Sequence, residues 1–439
     1  MAERKAVDYE RFWSERARTL PPNPFNQLLP LMKDPAMKVL CQGVPPDTTF
    51  PLQSLSVTTS DGTAVSLSVD EVRLAQRYPP FAWGPLRQWI LDHVRSLHAP
   101  PLPEWDIAIA AGSMSSVDLV CAAFVDRGDV VLIEEYSFMA SIDAFHSYGA
   151  KLVPVAQDAE GLKPEALEAA LVSLAAEGRR AKLLYAVPVG QNPTGSTLSR
   201  RRYEEIYEIA RRHDILIVED DAYFYLQHTL REPCADSTSR VEDTRELPGL
   251  RLGRSFLSLD IDGRVMRLDS FSKFLAPGYR LGWVSGAPAL TKKYDGLAYT
   301  SSQNGCSMSM MVLGKMLEAW GTSGLEAHLQ KLQAALRDRC DAMSAAVEEH
   351  LRGRAEWHRP QAGMFLWVRV LKPPSDKEQL LALMREHGVA VLPGENCSAA
   401  AAAGLETASC PYMRLSFVLP DDQYPEAIRR VGALAQALL

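Results

Sequence analysis

The sequence predicts an α/β protein: a large domain on a mostly parallel mixed sheet flanked by helices, with a small α+β domain towards the C-terminus. Three observations carry this. Short β-rich runs alternate with helical periodicity from about residue 66 to 325, the pattern of a parallel sheet with helices on both faces. RLGWVSG (280–286) follows its neighbouring run with too little chain for a helical crossover, so it should enter antiparallel and make the sheet mixed. Beyond a long helical pattern at 324–352, the runs GMFLWVRV (363–370), VAVLPG (389–394) and YMRLSF (412–417) read as strands of a second, smaller unit.

Residues 8–19 (DYERFWSERART) read as a short amphipathic helix with Tyr9, Phe12 and Trp13 on one side, and PPNPF (21–25) as extended chain. CQGVPPDTTFP (41–51) reads as loop, part of an arm draped on another surface. The large-sheet runs are VVLI (130–133), KLLYAV (182–187), ILIVED (215–220), RVMRLDSF (264–271) and RLGWVSG. Helical patterns at 162–178 and 199–213 lie between them. Residues 231–262, polar and aperiodic in their first half, read as an inserted surface loop. In the C-terminal unit, LLALMREHG (380–388) and 424–438 read as helices, and SAAAAAGL (398–405) as a low-complexity mobile loop. The resulting division is 1–55 (arm and part of the small domain), 56–325 (large domain) and 326–439 (small domain).

Composition narrows the function classes. Of 439 residues, 47% are hydrophobic and 23% charged, which is ordinary globular usage. The formal net charge of −7 argues against nucleic acid or an anionic membrane surface as the main partner. No apolar run is long enough to span a bilayer, and the N-terminal residues MAERKAVDYERFWSERAR lack a signal-peptide core. Seven cysteines without a CxxC pair fit reduced thiols in the cytoplasm, and the nine histidines show no metal-ligand spacing, so no metal is expected.

The residues that carry chemistry are few: Ser113 and Met114 after Gly112, then Phe138, Asn192 in NPTG, Asp220 with Tyr223, Ser270 and Ser272 with Lys273, Arg280, and Arg414. Singly each is weak; NPTG is a turn sequence and SFSK means little. Jointly they fall at strand C-termini or in the turns that follow, where open α/β sheets bind ligands. An aldehyde cofactor with a phosphate and a pyridine ring would use all of them. Pyridoxal 5′-phosphate needs an amine for its Schiff base, supplied by Lys273, and a carboxylate to keep the ring nitrogen protonated, supplied by Asp220. Asn192 and Tyr223 suit the 3′-oxygen, and Phe138 a ring face. The helix start at Ser113–Met114, with Ser270, Ser272 and Arg280, suits the phosphate, leaving Arg414 for a substrate carboxylate.

These residues, with LLYAVPVGQNPTG (183–195), IYEIARRHDILIVEDDAYFYLQ (206–227), DGRVMRLDSFSKFLAPGYRLGWVSG (262–286), AEWHRPQAGMFLWVRV (355–370), LPGENC (392–397) and PYMRLSF (411–417), resemble the class I/II aminotransferases of the fold-type I pyridoxal-phosphate superfamily. The resemblance extends to kynurenine/2-aminoadipate and fungal aromatic amino acid aminotransferases. The resemblance implies that an L-amino acid with an aromatic, kynurenine or 2-aminoadipate-like side chain gives its amino group to a 2-oxo acid. It also implies catalytic roles for Lys273, Asp220 and Tyr223, and a homodimer in which Tyr78 reaches the partner's phosphate. Arg414, Asn192, Gln42 and Gly43 would meet the substrate.

Three departures fall at the side-chain end of the site. Cys41-Gln42-Gly43 replaces a Gly-Gly pair, Leu28 stands where kynurenine aminotransferases carry an arginine, and Trp83 precedes a displaced Gly84. With the 231–262 insertion, they motivate a second reading, in which the same cofactor serves β- or γ-elimination, replacement or C–C bond formation, possibly on S-adenosylmethionine. A third reading, a cofactor-sensing transcription regulator, would need a DNA-binding domain ahead of the arm that starts at Arg11-Phe12, and none is expected.

Overall fold

Seven strands, most of them apolar and buried along their whole length, form the centre of the computed structural model. The structure describes residues 6–23, 25–41, 43–78, 84–229, 247, 249–250, 252–405 and 409–439. The strands are β1 (Asp106–Ala110), β2 (Val130–Glu134), β3 (Lys151–Val155), β4 (Ala181–Ala186), β5 (Leu216–Asp220), β6 (Val265–Ser270) and β7 (Gly282–Gly286). Their order across the sheet is β1-β7-β6-β5-β4-β2-β3. Only β7 runs antiparallel to its neighbours, as its short connection to β6 requires. β2, β5, β6 and β7 are buried at every position, which explains why they read as continuous apolar runs rather than alternating ones.

The helices between and around them are α1 (Gly84–His98), α2 (Ser113–Phe124), α3 (Met139–Ser147), α4 (Pro164–Ala176), α5 (Arg200–His213) and α6 (Pro288–Ser301). Next comes α7 (Ser307–Leu351), interrupted at Gly321, whose φ of 56° and ψ of −166° suit glycine. This helical stretch begins well before the expected 324. The C-terminal unit is a four-stranded antiparallel sheet ordered β8-β9-β11-β10, built from β8 (Ala355–Trp357), β9 (Phe365–Val370), β10 (Leu392–Pro393) and β11 (Tyr412–Ser416). It carries α8 (Lys377–His387) and α10 (Tyr424–Leu438), whereas α9 (Ala399–Ala402) packs on β3 of the large sheet and on α3. No helix among the described residues is long and apolar enough to cross a membrane.

Three local expectations need correction. The segment 8–19 is not one helix but a 3-10 turn, Tyr9–Arg11, and a short helix, Glu15–Thr19. Ser14 separates them: its hydroxyl caps the Ala17 N–H and its own N–H bonds the Ala123 carbonyl, while Phe12 and Trp13 are buried. The alanine run 398–405 is not a loop, because Ser398 caps α9 through the Ala401 N–H and alanine is the best helix former. The 231–262 insertion lies mostly outside the described residues, but its end is core rather than surface. Phe256 and Leu257 are buried and give their N–H groups to Glu219.

Candidate active site

The parallel strands end at one edge of the large sheet, and the predicted residues collect there. β1 runs into α2 through Gly112, whose φ is 89°. A side chain at Gly112 would be strained by the positive φ, and its β-carbon, 2.8 Å from Arg280 Nη2, would displace the guanidinium. The Arg280 guanidinium therefore lies against the N-terminus of α2, where Ser113 and Met114 begin the helix. The first N–H groups of a helix have no intrahelical partner, and beside a cation they are a suitable setting for a phosphate. Ser270 ends β6, and its hydroxyl accepts the Ser272 N–H at 3.1 Å. Phe138 precedes α3 as its N-cap residue and is half-buried.

Lys273 follows in the same turn as Ser272 and is partly buried. Burial, then the charges of Arg280 and Arg414, hold its amine below the ordinary lysine pKa. A lysine so placed is more nucleophilic near neutrality.

Asp220 ends β5. Its Oδ2 accepts a 2.6 Å hydrogen bond from the Tyr185 hydroxyl on β4, which in turn meets the Ser141 hydroxyl at 2.9 Å. Its Oδ1 is buried and has no partner among the described residues. Burial pushes the Asp220 carboxyl up to about 6; the Tyr185 hydrogen bond opposes this, Asp269 adds to it, and Arg267 opposes it. Behind Asp220, the buried Arg267 guanidinium binds Asp269 at 2.8 Å, Asp221 at 2.9 Å and Glu219 at 3.1 Å, tying together the ends of β5 and β6.

Arg414, on β11, reaches the same place from the small sheet. Its Nη1 donates to Asn192 Oδ1 at 2.7 Å, and its guanidinium lies 4.3 Å from the centre of the Phe365 ring. Asn192 Nδ2 donates to the Tyr223 hydroxyl at 3.4 Å. Arg414 Nε is buried and unpartnered among the described residues. One amine, one buried carboxylate with a spare oxygen and one guanidinium with a spare N–H thus converge at a single crevice.

A family model described as aminotransferase class I and II matches residues 41–431. The chain belongs to the class I and II aminotransferases. Mouse mitochondrial kynurenine/alpha-aminoadipate aminotransferase is 33% identical over 88% of this chain and 90% of its own length. An aromatic amino acid aminotransferase of Schizosaccharomyces pombe is 34% identical over 82% and 80%. The crystal structure of aminotransferase Aro8 from Candida albicans superposes with a TM-score of 0.86 at 28% identity, covering 99% of both chains. The aminotransferase is accordingly a pyridoxal-phosphate-dependent transferase of fold type I, with the mixed sheet the sequence predicts.

The residues fit that cofactor. The unpartnered Asp220 Oδ1 is an acceptor for a ring N–H, the α2 N-terminus with the Arg280 guanidinium against it suits a phosphate, and the Lys273 amine can bond an aldehyde. Two candidates are not brought to this crevice within one chain. Tyr78 is exposed (62%), and Gly43 has nothing within 4 Å of where its side chain would begin. Gln42 and Trp83 lie outside the described residues.

The structure adds residues that sequence reasoning passed over. Gln191, beside Asn192, accepts the Thr194 N–H at 2.9 Å and so braces the NPTG turn. Glu134, ending β2, holds Gln191 Nε2 at 3.0 Å and the Val187 N–H at 3.2 Å. Their only signal was a polar residue at the end of an apolar run. Burial pushes the fully buried Glu134 carboxyl up to about 8 from its ordinary 4.5. A raised carboxyl contributes stability that is fully present below pH 4.5 and lost as pH rises through 8, at about 1.4 kcal/mol per pH unit within that window. Glu134→Gln keeps the shape and cannot ionise. Its melting temperature is expected to gain on the wild type steadily from pH 5 to 8, measured by thermal unfolding of both proteins across that range. A pH-independent difference would contradict the assignment.

Proposed function

We propose that the aminotransferase acts on L-amino acids with aromatic, kynurenine or 2-aminoadipate-like side chains, passing the amino group to a 2-oxo acid. The supporting observation is the Arg414 guanidinium, held by Asn192 and Phe365 with its Nε uncommitted, in the same crevice as Lys273. Arginine grips a carboxylate bidentately, and an amino or oxo acid always presents one beside the reacting carbon. The side-chain class is supported by the names of the mouse and fission-yeast relatives.

When bound, pyridoxal phosphate supplies an electron sink for the pair left at the substrate Cα. Lys273 Nζ holds the cofactor between turnovers and moves the proton from Cα, its depressed pKa keeping a neutral fraction available as base. Asp220 Oδ1 would accept the ring N–H. Asn192 and Tyr223 would donate to the 3′-oxygen, and Phe138 would cover a ring face. Ser113, Met114, Ser270, Ser272 and Arg280 would hold the phosphate. The cofactor groups belong to residues 56–325 and the carboxylate anchor to 326–439, so the substrate bridges the two parts.

The second subunit of a homodimer supplies Tyr78 to the phosphate. The exposed apolar residues Leu31, Met37, Val39, Leu40, Val69 and Leu74 support such an interface. The free thiols of Cys41, Cys121, Cys306, Cys340, Cys397 and Cys410 support a reducing compartment, the cytoplasm. Elimination or replacement chemistry is not favoured, since the relatives are named as aminotransferases.

The test is a panel of amino donors with 2-oxoglutarate, the products read by mass spectrometry. Phenylalanine, tyrosine, kynurenine or 2-aminoadipate should yield its 2-oxo acid together with glutamate. Loss of a leaving group from the donor without any exchange to the 2-oxo acid would overturn the proposal.

A further inference from the structure

We propose that Tyr185, supported by Ser141, is a positioning residue that fixes the Asp220 carboxylate so that the cofactor's ring nitrogen, rather than the carboxylate, keeps their shared proton. The two carboxylate oxygens are not equivalent in the structure. Oδ2 takes the Tyr185 hydrogen bond at 2.6 Å, and Oδ1 is left without a partner among the described residues. Without Tyr185 the carboxylate could rotate and would lose the one donor that stabilises its charged form; both changes would move the proton from ring nitrogen to Asp220. A neutral ring withdraws electrons less strongly, so the proton at the substrate Cα would leave more slowly.

Tyr185 is suited to this task. It is wholly buried on β4, the neighbour of β5 in the sheet, and burial with the Asp220 charge holds its phenol protonated and therefore a donor. The phenol has one proton, committed to Asp220, so the Ser141 hydroxyl at 2.9 Å donates to the phenolic oxygen. A donor behind a donor strengthens it, as in other hydrogen-bond chains. Ser141 lies in α3, the helix that Phe138 precedes, and its hydroxyl also lies 3.9 Å from Met114 Sδ in α2. The chain Ser141–Tyr185–Asp220 therefore ties the predicted stacking and phosphate elements to the ring-nitrogen partner. The other charged groups that act on Asp220 are Asp269 and Arg267, and the buried Glu134 acts on both Asp220 and Tyr185.

The experiment loads the full-length enzyme with pyridoxal phosphate labelled with 15N at the ring nitrogen and records its 15N chemical shift at neutral pH. Wild type should fall in the protonated range. Tyr185→Phe, which loses only the hydroxyl, should move towards the unprotonated range. Its kcat should fall about tenfold while the donor KM stays within about twofold, the loss expected from a shift of one pKa unit. Ser141→Ala should move the shift in the same direction by less. A wild-type shift in Tyr185→Phe would overturn the proposal even if activity fell, because a merely structural role would not need the proton to move. If Tyr185→Phe fails to fold, Ser141→Ala decides on the same readout. The inference rests on Asp220 as the ring-nitrogen partner. An Asp220→Asn enzyme with a wild-type shift would overturn that assignment instead, so the two failures are distinguishable.

Discussion

Lys273→Ala is expected to lose turnover by at least ~10⁴-fold while still binding the cofactor, because two roles vanish together and neither has a substitute nearby. The phosphate-facing groups at Gly112–Met114, the Asp220 carboxylate and the Asn192–Tyr223 pair are untouched by the change, so the cofactor should co-purify. Lys273 is only partly buried, so its truncation leaves no closed cavity and no stranded buried charge. Steady-state turnover and the visible absorbance of the purified protein check both halves. Normal turnover would refute the role, and restoration of part of the rate by a small exogenous amine would support it.

Asp220→Asn is expected to lower kcat by about 10²–10³-fold, the range seen when a single preorganised electrostatic contact is removed from an active site. The substitution is nearly isosteric, and an asparagine oxygen still accepts the Tyr185 hydroxyl, so the local structure should hold. What disappears is the negative charge. An amide can accept a ring N–H only weakly and can instead donate to a bare ring nitrogen, which removes the reason for the ring to be cationic. Wild-type and variant enzymes with the same donor provide the comparison. A kcat within threefold of wild type would mean that some other group protonates the ring.

Much of this site was legible in the sequence because its residues sit at chain positions that topology alone brings together. Continuous apolar runs locate β2, β5 and β6, and the turn after each must open on the same sheet edge. The short connection before β7 fixed its direction for the same reason. Partnership was less legible. That Tyr185, in an otherwise aliphatic run, meets Asp220 depends on the neighbouring register of β4 and β5, in which Tyr185 pairs with Val218. That Phe365 backs Arg414 depends on the pairing of β9 with β11. Glu134 and Gln191 brace the NPTG turn across two strands, a contact no local pattern encodes. The misread segments fail for a different reason. The alanine run looks featureless until Ser398 is seen to cap it, and the break at Ser14 is set by a bond to Ala123 far along the chain.

The central claim is that one lysine carries the cofactor, and covalent trapping tests it most directly. Purified holoenzyme is reduced with borohydride, digested, and mapped by mass spectrometry. The expected result is a phosphopyridoxyl group on Lys273 and on no other residue. A label on a different lysine, or a cofactor that remains fully removable after reduction, would contradict it.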